Sequence, residues 1–186
     1  MKTMLKDHGA DASYLEAWGG VEVTGPMTME EYFRTPESTY PTSLVYGYLV
    51  RDHEPSPLRH QGPLNLLSWR LTEHVHGRCL GVVLLSCDVI LDVEHDLVLQ
   101  PDLMVILTER LETIGDRHIE SAPNLAIELL SPSTSRRDRT VKLECYRENG
   151  VQEYWIVDVA NRRIQVFDFP VDLVLGPDAG RTFTGP

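Results

Sequence analysis

The chain has 186 residues, 42% hydrophobic and 24% charged, the balance of a globular domain with room for one core. This excludes a disordered tail, a fibre and a disulfide scaffold, and no apolar run approaches the ~20 residues of a spanning helix. Lys and Arg number 17 against 28 Asp and Glu, a net charge of −11. Nucleic-acid binding draws on cations that displace counterions from phosphates, so any such footprint here must be local.

The first 25 residues mix Gly, Asp and small side chains without a period, which predicts a poorly ordered arm closed by Gly25-Pro26, with one domain over 26–186. Asp7 and His8 interrupt the N-terminal apolar residues, so no signal peptide is read there. Thr28 followed by Glu31 makes a capping box that opens a short helix through about Arg34, stopped by Pro36. Ser43 to Val50 is rich in β-formers around Gly47 and predicts a strand or tight hairpin. From Pro57 to Gly77, Leu64, Leu67, Leu71 and Val75 recur at helical spacing, with Pro63 predicting a kink or a later start.

Leu80 to Leu85 and Cys87 to Val93 form an extended apolar stretch bent near Ser86. Leu103 to Leu107 and Leu125 to Leu130 have buried-strand length, separated by a polar loop. Thr134 to Asn149 predicts a second helix, with Gly150 at the position that favours a left-handed cap. Glu153 to Val159 and Arg163 to Phe169 predict a hairpin. The sum is an α/β (α+β) domain with a mixed central sheet flanked by helices.

Phosphate-loop, dinucleotide and hydrolase-elbow motifs are absent, and the histidines show no zinc-ligand spacing. Cys79, Cys87 and Cys145 are scattered, with no C-x-x-C, which suits a reducing, cytoplasmic setting. What stands out is acids among apolar neighbours: Asp102 heads directly into LMVIL, and Glu128 lies inside LAIELL. An ionised carboxylate there is costly unless paired or bound to a cation. Of three lysines, Lys2 and Lys6 fall in the arm, leaving Lys142 as the ammonium of the folded body. Two acids and a main-chain carbonyl suit Mg²⁺ or Mn²⁺. With a lysine beside them they make the parts of a metal-dependent phosphodiesterase. The bland alternative is a turn acid, a solvent-facing strand acid and a charged helix surface.

The runs QPDLMVI, APNLAIELLSPST and VKLECYRENGVQEYWIVD, in that order and spacing, resemble the Uma2 family, formerly DUF820, of the restriction-endonuclease-like PD-(D/E)xK superfamily. The likeness extends from about MTMEEY to RRIQVFDF and includes PSPLRH. It implies that Asp102 and Glu128 are catalytic metal ligands, joined by the carbonyl of Leu129. The superfamily lysine, replaced by Leu130 at its usual place, is implied at Lys142, on the next helix. Ser131, Pro132 and Thr134 match the turn beyond the strand.

Ser43 and Tyr48 stand where the family carries glutamates, leaving Asp88 or Glu54 to complete the metal shell. Arg136, Arg137 and Arg139 are candidate phosphate contacts. The expected function is a Mg²⁺- or Mn²⁺-dependent endonuclease acting on DNA as a homodimer, with no membrane role. The alternative is an inactive binding or scaffold protein on the same fold.

Overall fold

The computed structural model of the chain describes Leu15 and residues 20–36, 38–53, 58–131, 134–169 and 180–184. Most of the N-terminal arm, together with Glu54, Pro55, Pro57 and Pro132, lies outside the described residues. The expected mixture of α and β is present, and its strands divide between two sheets.

The first sheet is antiparallel, in the order β1 (Val21–Thr24), β3 (Tyr48–Asp52), β2 (Thr42–Val45), β6 (Leu97–Leu99), β5 (Val89–Asp92). Its hairpin β2–β3 turns on Tyr46 and Gly47, both at positive φ, as a two-residue turn that matches strand twist requires. The arm expected over 1–25 is corrected at its end: Val21–Thr24 is an edge strand paired with β3. Helix α1 (Met29–Arg34) starts on the expected box, with Glu31 N–H donating to Thr28 Oγ1 and Thr28 N–H to Glu31 Oε2.

The second sheet runs β11 (Gly180–Thr184), β10 (Arg163–Asp168), β9 (Glu153–Asp158), β8 (Leu125–Leu129), β7 (Leu103–Leu107), β4 (Gly81–Leu85). All neighbours are antiparallel except β8 and β9, which run parallel. The expected bend at Ser86 is where the chain leaves this sheet for the first one. Ser86 sits at positive φ, and its N–H donates to the Asp102 carbonyl.

Helix α2 (Leu58–His76) carries Pro63 as its sixth residue, in the second turn, where the ring removes one helical donor. Its Leu64, Leu67, Leu71 and Val75 cover one face of the second sheet, against Leu103, Val105, Leu125 and Ile127. The opposite face, through Ala126, Tyr154 and Ile156, packs against the first sheet and against Val141, Cys145 and Tyr146.

Those last three residues belong to α4 (Val141–Glu148), and here the expected single helix is corrected. It is two, α3 (Ser135–Arg139) and α4, broken at Thr140 (φ −123°, ψ −84°). The Thr140 hydroxyl donates to the Arg136 carbonyl, an alternative to regular helix that threonine offers the main chain. Helices α3 and α4 together form the crossover between the parallel strands β8 and β9, as parallel pairing demands.

Candidate active site

Strand alternation sets the site. In β8, Leu125, Ile127 and Leu129 face α2, so Glu128, like Ala126, faces α4. In β7, Leu103 faces α2, which turns the preceding Asp102 to the same side as Glu128. The register pairs Leu103 with Ile127, so Asp102 and Glu128 are the next positions out, opposite each other across the two strands.

The carboxylate of Asp102 accepts the Leu129 N–H through Oδ2 at 2.7 Å, a side chain standing in for a ladder carbonyl where pairing ends. Glu128 is 4% exposed. Its Oε1 accepts from Lys142 Nζ at 2.6 Å and from the Tyr146 hydroxyl at 2.9 Å. Lys142 and Tyr146 lie four residues apart, one turn of α4, and so present side by side to the strand. One turn the other way, across the Thr140 break, Asp138 Oδ1 stands 3.8 Å from Lys142 Nζ.

Burial dominates the electrostatics. It pushes the carboxyl of Glu128 up; the Lys142 ammonium opposes this, while Asp138 and Asp102 add to it. Burial likewise raises Asp102 against the lowering pull of the Leu129 N–H and Lys142. For Lys142 burial acts downward, but Glu128 and Asp138 outweigh it and hold the ammonium above its usual range. The lysine is therefore charged and unsuited to act as a base. It is placed to orient a water or to steady negative charge that develops beside Glu128.

The sequence singled out Asp102, Glu128 and Lys142, and the fold brings these three together. It also brings in Asp138, which the sequence reading did not single out. Asp138 is 1% exposed, and its Oδ1 has no hydrogen-bond partner; its signal was the spacing of four from Lys142. Tyr146, fully buried, is core and site at once.

The arginines behave differently from expectation. Arg137 is corrected as a phosphate contact: it is buried and makes a bidentate pair with Asp52 of β3, at 2.6 and 3.1 Å. Arg139 is half-buried and bonded to Asp158 at 3.3 Å, and only Arg136 of the three is exposed. Asp88 accepts from Tyr32 and Gln100, at 3.2 and 3.4 Å, and is not among the charges that act on Asp102 or Glu128. Ser43 does border the site. With Arg137, Lys142 and Val141 it lines an enclosed void of about 10 Å³, close to the space of one water.

Among the described residues no three Asp, Glu, His or Cys side chains form a ready-made metal cage. The donor set still fits a hard cation: two opposed carboxylates on one face, beside a buried acid oxygen that lacks a donor. Buried polar atoms in that condition call for a cation or water.

Residues 29–177 match the model of the Uma2 family, described as "Putative restriction endonuclease". The chain belongs to the Uma2 family. Among solved structures, it is similar to a "putative nuclease belonging to DUF820" from Anabaena variabilis ATCC 29413. That likeness has a TM-score of 0.70 and 20% sequence identity, and it covers 87% of this chain and 86% of the other. At that identity the likeness shows the fold, a Uma2 fold with its two sheets and crossover helices. No curated protein matches. No helix among the described residues is long and apolar enough to cross a membrane.

Proposed function

We propose that this Uma2 protein is a Mg²⁺- or Mn²⁺-dependent endonuclease that hydrolyses phosphodiester bonds in nucleic acid, with DNA as the substrate. The observation that carries this reading is the opposition of Asp102 and Glu128 on one face, with Lys142 Nζ 2.6 Å from Glu128. Asp102, Glu128 and the Leu129 carbonyl would hold the cation. When bound, it supplies Lewis-acid polarisation of a phosphoryl oxygen and eases deprotonation of the attacking water.

The chain's own residues do the remaining work. Lys142 steadies charge on the phosphoryl group, Tyr146 and Asp138 fix the lysine and glutamate, and the two strands set their spacing. Hydrolysis forms a bond from water oxygen to phosphorus and breaks one P–O ester bond. The water's proton passes through solvent to the leaving oxygen. Supercoiled plasmid nicking in Mn²⁺ tests the proposal. Lys142→Ala and Asp102→Asn are each expected to lower the rate at least about 100-fold, as loss of a transition-state charge partner does. Equal traces in wild type and variants would overturn it.

A silent, nucleic-acid-binding form is favoured by one specific observation. Ser43 supplies a hydroxyl, not a carboxylate, at the void beside Lys142 and Arg137. Calorimetry with Mn²⁺ separates the readings: heat at millimolar concentrations supports the enzyme, and none supports the silent protein.

A homodimer and a cytoplasmic setting complete the proposal. The free edge of β4 and the exposed Leu66 and Trp69 on α2 support the first, to be read by sedimentation. The scattered cysteines Cys79 and Cys87, neither in a disulfide, support the second.

A further inference from the structure

Just past the acids, where the parallel strands β8 and β9 end, the surface opens into a cavity of about 290 Å³. The carboxyl ends of parallel strands are where ligands settle in sheets of this kind, and the volume is near that of small-ligand pockets. Its polar lining comes from His60, Ser131, Ser135 and Asn161, and its apolar lining includes Leu130 and Val159. Among the described residues the one carboxylate there is that of Asp158, which is already engaged. Its carboxylate accepts the Asn161 N–H at 3.0 Å and the Asn161 side-chain amide at 2.9 Å, and it pairs with Arg139.

Among the described residues no lysine or arginine lines the cavity, and its carboxylate is already paired with Arg139. That lining of hydroxyls, an amide and an imidazole suits an uncharged polar ligand. His60 adds a specific demand: the side chain is 7% exposed, and its Nε2 is buried with no hydrogen-bond partner. An imidazole left so is costly unless a ligand or water completes it. The same histidine acts electrostatically on Asp102, so cavity and acids are neighbours. Leu130 and Ser131 follow Glu128 by two and three residues, roughly 7–10 Å along an extended chain, a separation suited to a scissile phosphate and the base of an adjoining nucleotide.

We infer that this cavity seats one unpaired nucleobase of the strand held at the acids, with His60 as its polar contact. The inference rests on the nuclease reading and deepens it. A base reaches such a pocket only out of the stack, which is easiest in single-stranded or distorted nucleic acid. The protein therefore selects unpaired substrate.

The test uses the full chain with a fluorescein-labelled DNA oligonucleotide, in single-stranded, duplex and single-abasic forms, followed by anisotropy in Ca²⁺. Wild type is expected to bind the single strand at least about tenfold more tightly than the duplex. Ala160→Trp, at an exposed turn residue on the cavity rim, is expected to erase that preference and leave duplex binding unchanged, and His60→Leu to erase the preference. Ala160→Trp guards against a folding failure of the buried variant. Equal binding of the two forms by wild type, or a preference that survives Ala160→Trp, overturns the base pocket. If plasmid nicking is then still lost in Lys142→Ala, the nuclease reading stands without it. Absence of nucleic-acid binding in every form overturns both.

Discussion

Lys142 is where the residue-scale physics concentrates. It is the one ammonium that Glu128 and Asp138 share, and removing one partner of a buried ionic group leaves its charge uncompensated, typically at 3–5 kcal/mol. Lys142→Met is therefore expected to destabilise the protein by about 3–5 kcal/mol near neutral pH. The sign with pH follows from the direction of the shifts. Glu128 is already raised above its ordinary 4.5 by burial, and losing the lysine raises it further. A carboxyl raised by folding contributes stability that is complete below its unfolded value and lost as pH climbs through the folded one. The deficit of the variant should thus be largest at pH 8 and shrink toward pH 5, measured as urea midpoints at both.

At this scale much was readable in advance. Asp102 and Glu128 announced themselves as carboxylates inside apolar strands, and Lys142 as the last lysine available. Asp138 was hidden because its neighbours are arginines, and its role depends on burial that no local pattern carries. Arg137 misled for the converse reason: its partner Asp52 lies 85 residues away in sequence.

Among elements, those with a strong local signal were legible: the capped α1, the leucine stripe of α2, and the buried strands β7 and β8. Those without one were not. Strand β6 has three residues and β1 four, too few to show a period, and both exist because partners in the first sheet pair with them. One of the passages between the two sheets turns at the positive φ of Ser86, which no glycine signals. The Thr140 break carries no glycine or proline to announce it either; only the bond from its hydroxyl to the Arg136 carbonyl marks it.

One element-level contact is a sharp test of the second sheet. A Cβ on Gly81 would collide with the Ile106 carbonyl oxygen across the β4–β7 ladder. Gly81→Ala should cost about 3 kcal/mol, in the range of overpacked substitutions, and lower the thermal midpoint by roughly 6–12 °C in a protein of this size.

For the molecule as a whole, charge is the governing quantity. The net charge is −11, Arg137 is buried in a pair, and Arg139 is turned to Asp158, so of the three arginines beside the site only Arg136 is exposed to meet a phosphate backbone. Since each neutralised phosphate adds about 0.9 to the salt slope on duplex DNA, the plot of log affinity against log salt should have a slope no steeper than about −2. Anisotropy titrations between 50 and 200 mM salt would read it. A slope near −6 would mean a basic surface elsewhere. With the shallow slope, long-range attraction contributes little to affinity.

The hydrogen bond from the Leu129 amide to Asp102 ties two levels of organisation together. The same carboxylate that would grip a cation also closes the last rung between β7 and β8, so loading the centre and zipping the sheet draw on one group. Whatever pulls that oxygen away leaves the Leu129 N–H without its acceptor, and the occupancy of the centre becomes audible in the exchange rate of a single amide.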